Sequence, residues 1–596
     1  MTAGISATGS EFQVNSHADT RKKDAQIAAM SEGGFLITWD SWAQDGSSYG
    51  IFGQRFDSSG TAIGEEFRIN DWATNFQVYS ASALLSDGSL VVAWHSGFQD
   101  GGGIGVYGKR FGPTGDPVGT EFRVNIETEF DQSFPKVAPL NDGGFVVVWQ
   151  SWRQDGNESG VFARRYASDG SGVGTEFRVN STTIGNQGSP SLTALNDGGF
   201  TVVWQSSSQN SATRTHDVYG RRFDAAAEAV GTEFRINTYL RDEQKNPVIA
   251  TLAGGGIVAV WESVREDGGP SQDGSGHGLY GQMFAPDGSP MGSEFQVNVE
   301  TDGDQRQPAV IDTPDGGFVI SWHSSSADGT DIGVFSRRFD ANGEPLGEDV
   351  RISGQHSDAH DWPSVAHLTN GGFAATWAEQ QDGAWSVKAR IFAAEYWGTS
   401  GDDSIYEPAG LNWINSQAGN DLVRDGAGND VVFAGRGNDT IESGAGDDFV
   451  WVNQGDDLFI DASSGPGNDT VIGGFGRDTL LGGNGNDILR GRWGKDSLDG
   501  GAGNDTLDPG IGDDIVTGGE GSDLFRFRAR FDLGDDVIRD FEMGVDRFRF
   551  DWLSFQDITV SQDGSDTVLK WATGSVTLQQ VTATELSEND FSCVFI

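Results

Sequence analysis

The feature that most restricts how this chain can fold is an acidic residue that returns every nine positions across its last third. After Trp397 the composition turns to Gly, Asn and Asp. The ladder runs Asp421, Asp430, Asp439, Asp448 and Asp457, and after a three-residue insertion at Gly465-Pro466 continues Asp469, Asp478, Asp487, Asp496, Asp505, Asp514 and Asp523. Asp403 and Asn412 extend it backwards. Two places after each stands an apolar residue, from Ile405 and Ile414 to Leu507, Val516 and Phe525, so fourteen registers keep one pattern. A unit with one apolar residue has no core of its own, and its neighbours must supply one.

The chemistry of the ladder points to a cation. Gly-rich turns offer main-chain carbonyls and Asp offers a charged oxygen, and hard oxygen donors at flexible spacing suit Ca²⁺ rather than zinc or copper. The twelve aspartates from Asp421 to Asp523 are the candidate ligands, and a metal-free roll of stacked carboxylates would repel itself. Segments such as Gly473-Gly474-Phe475-Gly476-Arg477-Asp478, Gly482 to Asp487, Gly500 to Asp505 and Gly518 to Asp523 resemble the RTX (repeats-in-toxin, haemolysin-type) nonapeptide. The resemblance implies a right-handed parallel β-roll with two nonapeptides per turn and several Ca²⁺ ions between successive loops. The earlier rows depart from it, with Asp425, Ala434, Ser443 and Val452 at the first Gly and Asn453 at the second, so their sites are expected to be less secure. Arg436, Arg477 and Lys495 fall where that family uses only main chain.

In front of the ladder, a second repeat sets a second architecture. Glu-Phe-Arg-Val-Asn or a close variant recurs at 11–15, 66–70, 121–125, 176–180, 233–237 and 294–298, usually 55 residues apart, with a degenerate seventh at 349–353. In step with it run apolar segments ending in Trp39, Trp94, Trp149, Trp204, Trp261, Trp322 and Trp377. Within a repeat, Pro135 to Leu140 reads as a strand, Asn141-Asp142-Gly143-Gly144 as a hairpin turn, and Phe145 to Trp149 as a returning strand buried on both faces. Four short strands per repeat, from buried inner to amphipathic outer, describe a propeller blade, and seven repeats describe seven blades. Because the chain opens on an outer-strand element and the seventh repeat lacks one, the first strand is expected to complete the last blade. An open solenoid would leave bare edges.

Function on a propeller belongs to its longer loops, here those following each Trp, including 263–278 and 381–385. Trp42, Trp152 and Trp385 stand there beside Asp and Gln, the chemistry that stacks on a sugar face and binds its hydroxyls, unless the rings pack on neighbouring blades. The position after each core Trp reads Asp40, His95, Gln150, Gln205, Glu262, His323 and Ala378. Convergence of Asp40, His95, Glu262 and His323 on an axial pocket would make an acid–base or metal site. Gly46 to Gly50 matches a nucleophile elbow but sits in a hairpin loop, and His356, Asp358, His360 and Asp361 lie in an inter-blade loop without the helix that such zinc spacing needs.

The formal charge of −49 excludes nucleic acid and anionic membrane as partners and favours cations. Cys593 is the single cysteine, so no internal disulfide staples the chain. No N-terminal leader and no apolar run long enough for a membrane span are read. The stretch Gly534 to Phe541 followed by Gly544-Val545-Asp546 resembles the C-terminal region of serralysin-type RTX proteins, and Asp590 to Ile596 resembles the acidic-then-apolar ending of type I secretion substrates. These resemblances imply export through a type I apparatus by an uncleaved C-terminal signal. The expected organisation is all-β: a seven-bladed β-propeller over 1–396, a parallel β-roll over 397–527, and a cap with secretion signal over 528–596. The expected function is that of a secreted calcium-binding surface or matrix protein whose propeller binds glycan or protein as an adhesin does, without a catalytic residue assigned. The alternative is a secreted polysaccharide-degrading hydrolase or lyase with its site on the propeller's top face.

Overall fold

The computed structural model describes residues 5, 7, 10–17, 20–31, 33–207, 216–265, 271–313, 316–326, 332–354, 360–368, 372–381, 383–392, 394–398, 401–406, 412–463, 465, 467–528, 534–551, 553–587 and 590–594. They form two compact units, 1–392 and 393–596. Among the described residues the first unit holds seven four-stranded antiparallel sheets. Six use consecutive strands, as in Gln132–Pro139, Phe145–Trp152, Ser159–Tyr166 and Gly172–Arg178. The seventh takes three strands from His360–His367, Phe373–Gln381 and Ala384–Phe392, and its outer strand from Phe12–Gln13, with Phe12 opposite Ala389 and Gln13 opposite Lys388. The seven-bladed propeller is thus closed by its first strand, as the offset of the repeat predicts.

Burial falls outward through each blade. In Phe145–Trp152 the first five side chains are buried, whereas the first four residues of Gly172–Arg178 are exposed. The seven strand-end tryptophans are fully buried, each wedged against the preceding blade; Trp149 packs with Val91, Ala93 and Val106.

Each residue of the recurring pentad has a physical task. Its Asn is buried, and its Oδ1 accepts the amide of the third strand of its own blade: Asn70 from Ile51 at 2.8 Å, Asn125 from Val106 at 2.7 Å, Asn180 from Val161 at 2.8 Å. In the degenerate repeat the Ser353 hydroxyl takes the Asn role, accepting from Val334 at 3.0 Å. The pentad's acid reaches the preceding blade, where Glu66 accepts the Ser16 amide at 2.8 Å, Glu121 that of Asp71 at 2.7 Å and Asp349 that of Val299 at 2.9 Å. The same two contacts join the ring's ends: Glu11 accepts from the Gly354 amide at 2.7 Å, and Asn15 from the Val387 amide at 2.7 Å.

The second unit winds as two parallel sheets facing each other. One runs from Ala394–Trp397 through Asn412–Asn415 and Val431–Arg436 to Arg547–Asp551 and Phe591–Val594; the other from Ser404–Tyr406 through Leu422–Arg424 to Gly534–Ile538 and a closing antiparallel hairpin. Trp413 pairs with Val431 and Val431 with Phe449, so a turn takes eighteen residues, two nonapeptides. One apolar column per sheet fills the interior, Val432, Val450, Val471, Leu489 and Leu507 on one side and Val423, Ile441, Phe459, Leu480 and Leu498 on the other, all essentially inaccessible. Glycine is required at the turns: at Gly476 and Gly503 φ is 137° and 143°, and a Cβ would stand 1.6 and 1.5 Å from a carbonyl oxygen of the previous turn. Among the described residues no helix is long and apolar enough to cross a membrane.

Replacing Asn125 by Ala leaves the Val106 amide buried without an acceptor and is expected to lower propeller stability by about 1–3 kcal/mol. Urea unfolding followed by Trp fluorescence measures it; an unchanged midpoint would count against the capping role.

Candidate functional site

In the roll every ladder aspartate is buried and uses its two oxygens differently. The Oδ1 atom accepts the amide of the aspartate one turn earlier: Asp487 from Asp469 at 2.8 Å, Asp505 from Asp487 at 2.7 Å, Asp523 from Asp505 at 2.9 Å. The Oδ2 atom is buried without a hydrogen-bond partner at eleven of the twelve, Asp421, Asp439, Asp448, Asp457, Asp469, Asp478, Asp487, Asp496, Asp505, Asp514 and Asp523, and Asp430 is buried among them. These bare oxygens lie against the first glycine of the nonapeptide, where a Cβ at Gly473, Gly482 or Gly500 would stand 2.6, 2.6 or 2.3 Å from the Oδ2 of Asp478, Asp487 or Asp505. The residue before each aspartate builds a second ladder outside it, as where Asn468 Oδ1 accepts the Asn486 amide at 2.9 Å and Asn486 Oδ1 that of Asn504 at 2.8 Å.

Burial, partly offset by the amide that each accepts and reinforced by neighbouring carboxylates, raises Asp421 and Asp523 and pushes nine more of these acids far above the usual range. The values reach about 8 at Asp448, Asp457 and Asp496, about 7 at Asp469, Asp487 and Asp514, and about 6 at Asp439, Asp478 and Asp505. A row of such oxygens is met either by protons or by a cation. A hard dication fits the donor set, all oxygen with neither thiolate nor imidazole.

Two features of the ladder lie outside its nine-residue period. Asp536 and Asp546 continue it, accepting the amides of Asp514 and Asp523 at 3.0 Å each, and Asp536 also leaves a buried bare Oδ2. Their spacing, 22 and 23 residues instead of 18, hides them from the period. The second is Asp425. In place of the first Gly, it brings a third buried carboxylate to Asp430 and Asp448, with oxygens of all three within 4.8 Å of one another. The departure from the repeat that weakens this row on paper therefore adds a charged oxygen to it.

On the propeller, the position after each core Trp does not converge on the axis. Each innermost strand carries a bulge at one residue in the left-handed region: Asp24, Tyr79, Phe134, Ser189, Asn246, Gln307 and Trp362, with φ between 46° and 57°. The bulge frees an amide, and the side chain after the preceding blade's Trp accepts it: Asp40 from Tyr79 at 3.1 Å, Gln150 from Ser189 at 3.3 Å, Gln205 from Asn246 at 3.0 Å and Glu262 from Gln307 at 2.7 Å. His95 does the same for Phe134 at 3.4 Å, and burial together with nearby Lys23 pushes its imidazole down to about 3, so it stays a neutral acceptor. Gln307 accepts the Trp362 amide at 3.0 Å.

The bulge residues are what face the axis. They line a cavity of about 430 Å³ holding Asp24, Tyr79, Phe134, Asn246, Gln307 and Trp362. The Tyr79 ring lies 5.0 Å from Phe134 and 6.4 Å from Trp362, both edge-on. Lys23 reaches Asp24 at 3.1 Å and Asp40 at 3.9 Å and lies 4.8 Å over the Tyr79 ring. The recurring proline after the bulge, at Pro135, Pro190, Pro247, Pro308 and Pro363, is the sequence signal that marks this ring.

Trp42, Trp152 and Trp385 are not brought together. Trp42 is 46% exposed with its ring edge-on to Tyr49 at 4.9 Å, Trp152 is 39% exposed with the Arg153 guanidinium 5.6 Å from its ring, and half-buried Trp385 lies under Arg21 at 5.1 Å. Among the described residues no ring contact joins any two of them. His356 and Asp358, the side chains of His360 and Asp361, Pro466, Asp382, residues 266–270 of the longest loop, the side chains of residues 592–594, and residues 595–596 lie outside the described residues.

Residues 409–441, 424–459, 463–498 and 490–525 match the RTX calcium-binding nonapeptide repeat, so the roll carries calcium-binding repeats of this kind. No curated protein matches the chain. Similar solved structures include a protein of unknown function from Dyadobacter fermentans, at 11% identity over 65% of this chain and 99% of that one with a TM-score of 0.41. Others are a family PL25 ulvan lyase, at 11% identity over 63% and 95% with a TM-score of 0.45, and Penicillium chrysogenum α-L-arabinanase complexed with arabinobiose, at 17% over 52% and 92% with a TM-score of 0.38.

Raised carboxyl values fix the sign of the pH dependence. A group raised from near 4 to 6–8 stabilises the metal-free roll below its unfolded value, and that contribution is lost as pH rises through the folded value. With a chelator present, the urea midpoint of the roll is expected to fall as pH rises from 5 and to vanish toward neutral pH, where chelation alone unfolds the roll. A midpoint that rises over this window rules out the buried, unneutralised ladder.

Proposed function

We propose that the chain is an exported calcium-binding protein whose roll folds on extracellular calcium and whose propeller binds a carbohydrate in its axial cavity. In the roll, the carboxylates of the twelve ladder aspartates, with Asp425, Asp536 and the loop carbonyls, hold the ions. Calcium supplies the positive charge that lets these acids stay ionised and buried. Extracellular calcium modules bind at roughly 10⁻⁴ to 10⁻³ M, so the roll stays unfolded where calcium is scarce and folds where it is abundant. Residues 528–596 cap the roll and end in the signal read by a type I exporter.

The observation that carries the carbohydrate reading is the ring of bulge residues. One backbone device, repeated in each blade, projects a different side chain toward the same cavity: aromatic faces at Tyr79, Phe134 and Trp362, amides at Asn246 and Gln307, and a carboxylate at Asp24. Aromatic planes with a few convergent polar groups, in a cavity of about 430 Å³, suit one or two sugar rings. Trp42 and Trp152, exposed at strand ends, extend the same chemistry to the outer loops, and Trp385 does so less because Arg21 covers it.

A second reading, a hydrolase or lyase, draws on one specific feature. Buried Asp40 is raised well above the usual carboxyl range by burial and by the Asp24 charge, against the pull of Lys23. A carboxyl so raised, beside a second carboxylate, a lysine and a tyrosine at a cavity wall, supplies the parts of an acid–base site.

Three measurements decide. Chelation is expected to unfold residues 400–550 and spare the propeller, and a far-UV CD spectrum indifferent to EDTA defeats the calcium reading. Phe134→Ala and Trp362→Ala should each lower affinity for the glycan selected on an array by about tenfold, since stacking contributes about 1 kcal/mol or more; equal binding by both variants removes the cavity from consideration. Release of reducing ends or unsaturated products by the wild type, lost in Asp24→Asn with binding retained, establishes the enzyme reading instead.

A further inference from the structure

We propose that the outer face of one sheet of the roll carries a second binding site, for an acidic oligosaccharide, separate from the propeller cavity. Two depressions on this face, of about 620 and 340 Å³, share Arg492 and Trp493 and so form one groove along successive strands. Its first half is aromatic. Trp451, Phe475 and Trp493 are 37%, 53% and 42% exposed, and the Phe475 and Trp493 rings lie parallel at 4.4 Å with only 6° between their planes. Its second half is mainly basic, with Arg490 and Arg492 on one strand and Arg528 two strands further on, around the carboxylate of Asp508 on the strand between.

The basic charge is only partly cancelled locally, by Asp508. Arg528 pairs with Asp508 at 2.8 Å and Arg526 with Asp551 at 2.6 Å, whereas Arg436, Arg490 and Arg492 make no guanidinium ion pair or hydrogen bond among the described residues. The Arg492 Nε is buried without a partner. In a chain of formal charge −49, a groove where Arg436 and Arg492 have no ion pair and Arg490 shares the charge of the Asp508 carboxylate with Arg526 and Arg528 keeps an excess of positive charge and marks a place for an anion from outside.

Arg492 also sits where the fold prefers none. Its φ is 83°, and the equivalent positions one turn before and after are Gly474 and Gly510, where a Cβ would come within 2.0 and 2.3 Å of a carbonyl oxygen. A large side chain held at a left-handed glycine position strains the backbone, and such strain collects at binding sites. The ligand class follows from the surface. A sheet face offers no free main-chain groups, so an acidic peptide strand has nothing to pair with, and side chains alone must do the reading. Flat rings take the C–H face of a pyranose, and guanidinium forks take its carboxylate. Strands stand about 4.8 Å apart, so the stretch from Trp451 to Arg528 spans four steps, roughly 19 Å, the reach of a short uronate oligomer.

The test uses the full chain with calcium present and tetragalacturonate as titrant in calorimetry. Arg492→Gly removes the guanidinium and relieves the backbone, so the thermal midpoint should hold or rise while affinity falls about tenfold or more, the worth of a charged hydrogen-bond pair. Trp493→Ala should weaken binding similarly, and Trp362→Ala in the propeller should leave it unchanged, which separates this site from the axial cavity. A sulfated tetrasaccharide run in parallel tells carboxylate from sulfate as the preferred anion. Equal binding of a neutral tetrasaccharide, undiminished affinity in Arg492→Gly, or a dimer in sedimentation that Arg492→Gly dissolves would each overturn the proposal, the last by giving the groove to a second copy of the chain.

Discussion

A buried carboxylate with one oxygen bound to the main chain of the neighbouring turn and the other bare is the unit on which the second half of this molecule rests. Moving an isolated carboxylate out of water costs far more than one hydrogen bond returns, and here the cost recurs at every turn. The apolar columns cannot offset it, because each nonapeptide contributes one small side chain. Positive charge must enter the loops, as protons in acid or as calcium at neutral pH. The roll's dependence on its surroundings is therefore built into the hydrogen bonds from Asp469 to Asp487 and from Asp487 to Asp505.

The propeller obeys the same demand, that no buried polar group go unmet, but meets it from within. Asn125 takes the Val106 amide, Glu121 the Asp71 amide of the blade before, and Glu262 the amide that the Gln307 bulge releases. The titratable ring that looked catalytic is thereby explained as acceptors: His95 is neutral and buried because it is needed as one. What remains open to a ligand is the cavity side of the bulge residues, which line the axial space whatever else they bind.

Strand order, blade number and ring closure were legible in the sequence, from the 55-residue repeat and its offset, as was the roll's nine-residue period, whereas its eighteen-residue turn was what the resemblance to the RTX nonapeptide implied. The bulge ring was not legible, since a left-handed φ at Tyr79 or Phe134 has no residue-type signature, and only the prolines that follow most of them keep its count. The pentad's acid could not be read as a latch because its partner lies on another blade, as Ser16 does for Glu66. Asp536 and Asp546 fell outside the period by a few residues. The groove at Arg492 and Trp493 escaped because it takes three-dimensional pairing to show that Trp451, Phe475 and Trp493 stand on consecutive rungs.

The closure of the ring by Phe12 and Gln13 has a kinetic side. Their partners, Ala389 and Lys388, are the most distant in sequence of any strand pair in the unit, so the bonds that finish the propeller wait on the longest search the chain must make. Without that pairing the strand Ala384–Phe392 has a bare outer edge, and a bare edge is a template for the complementary strand of another molecule. The moment of greatest exposure to misassembly thus comes late, when nearly all of the propeller is already built.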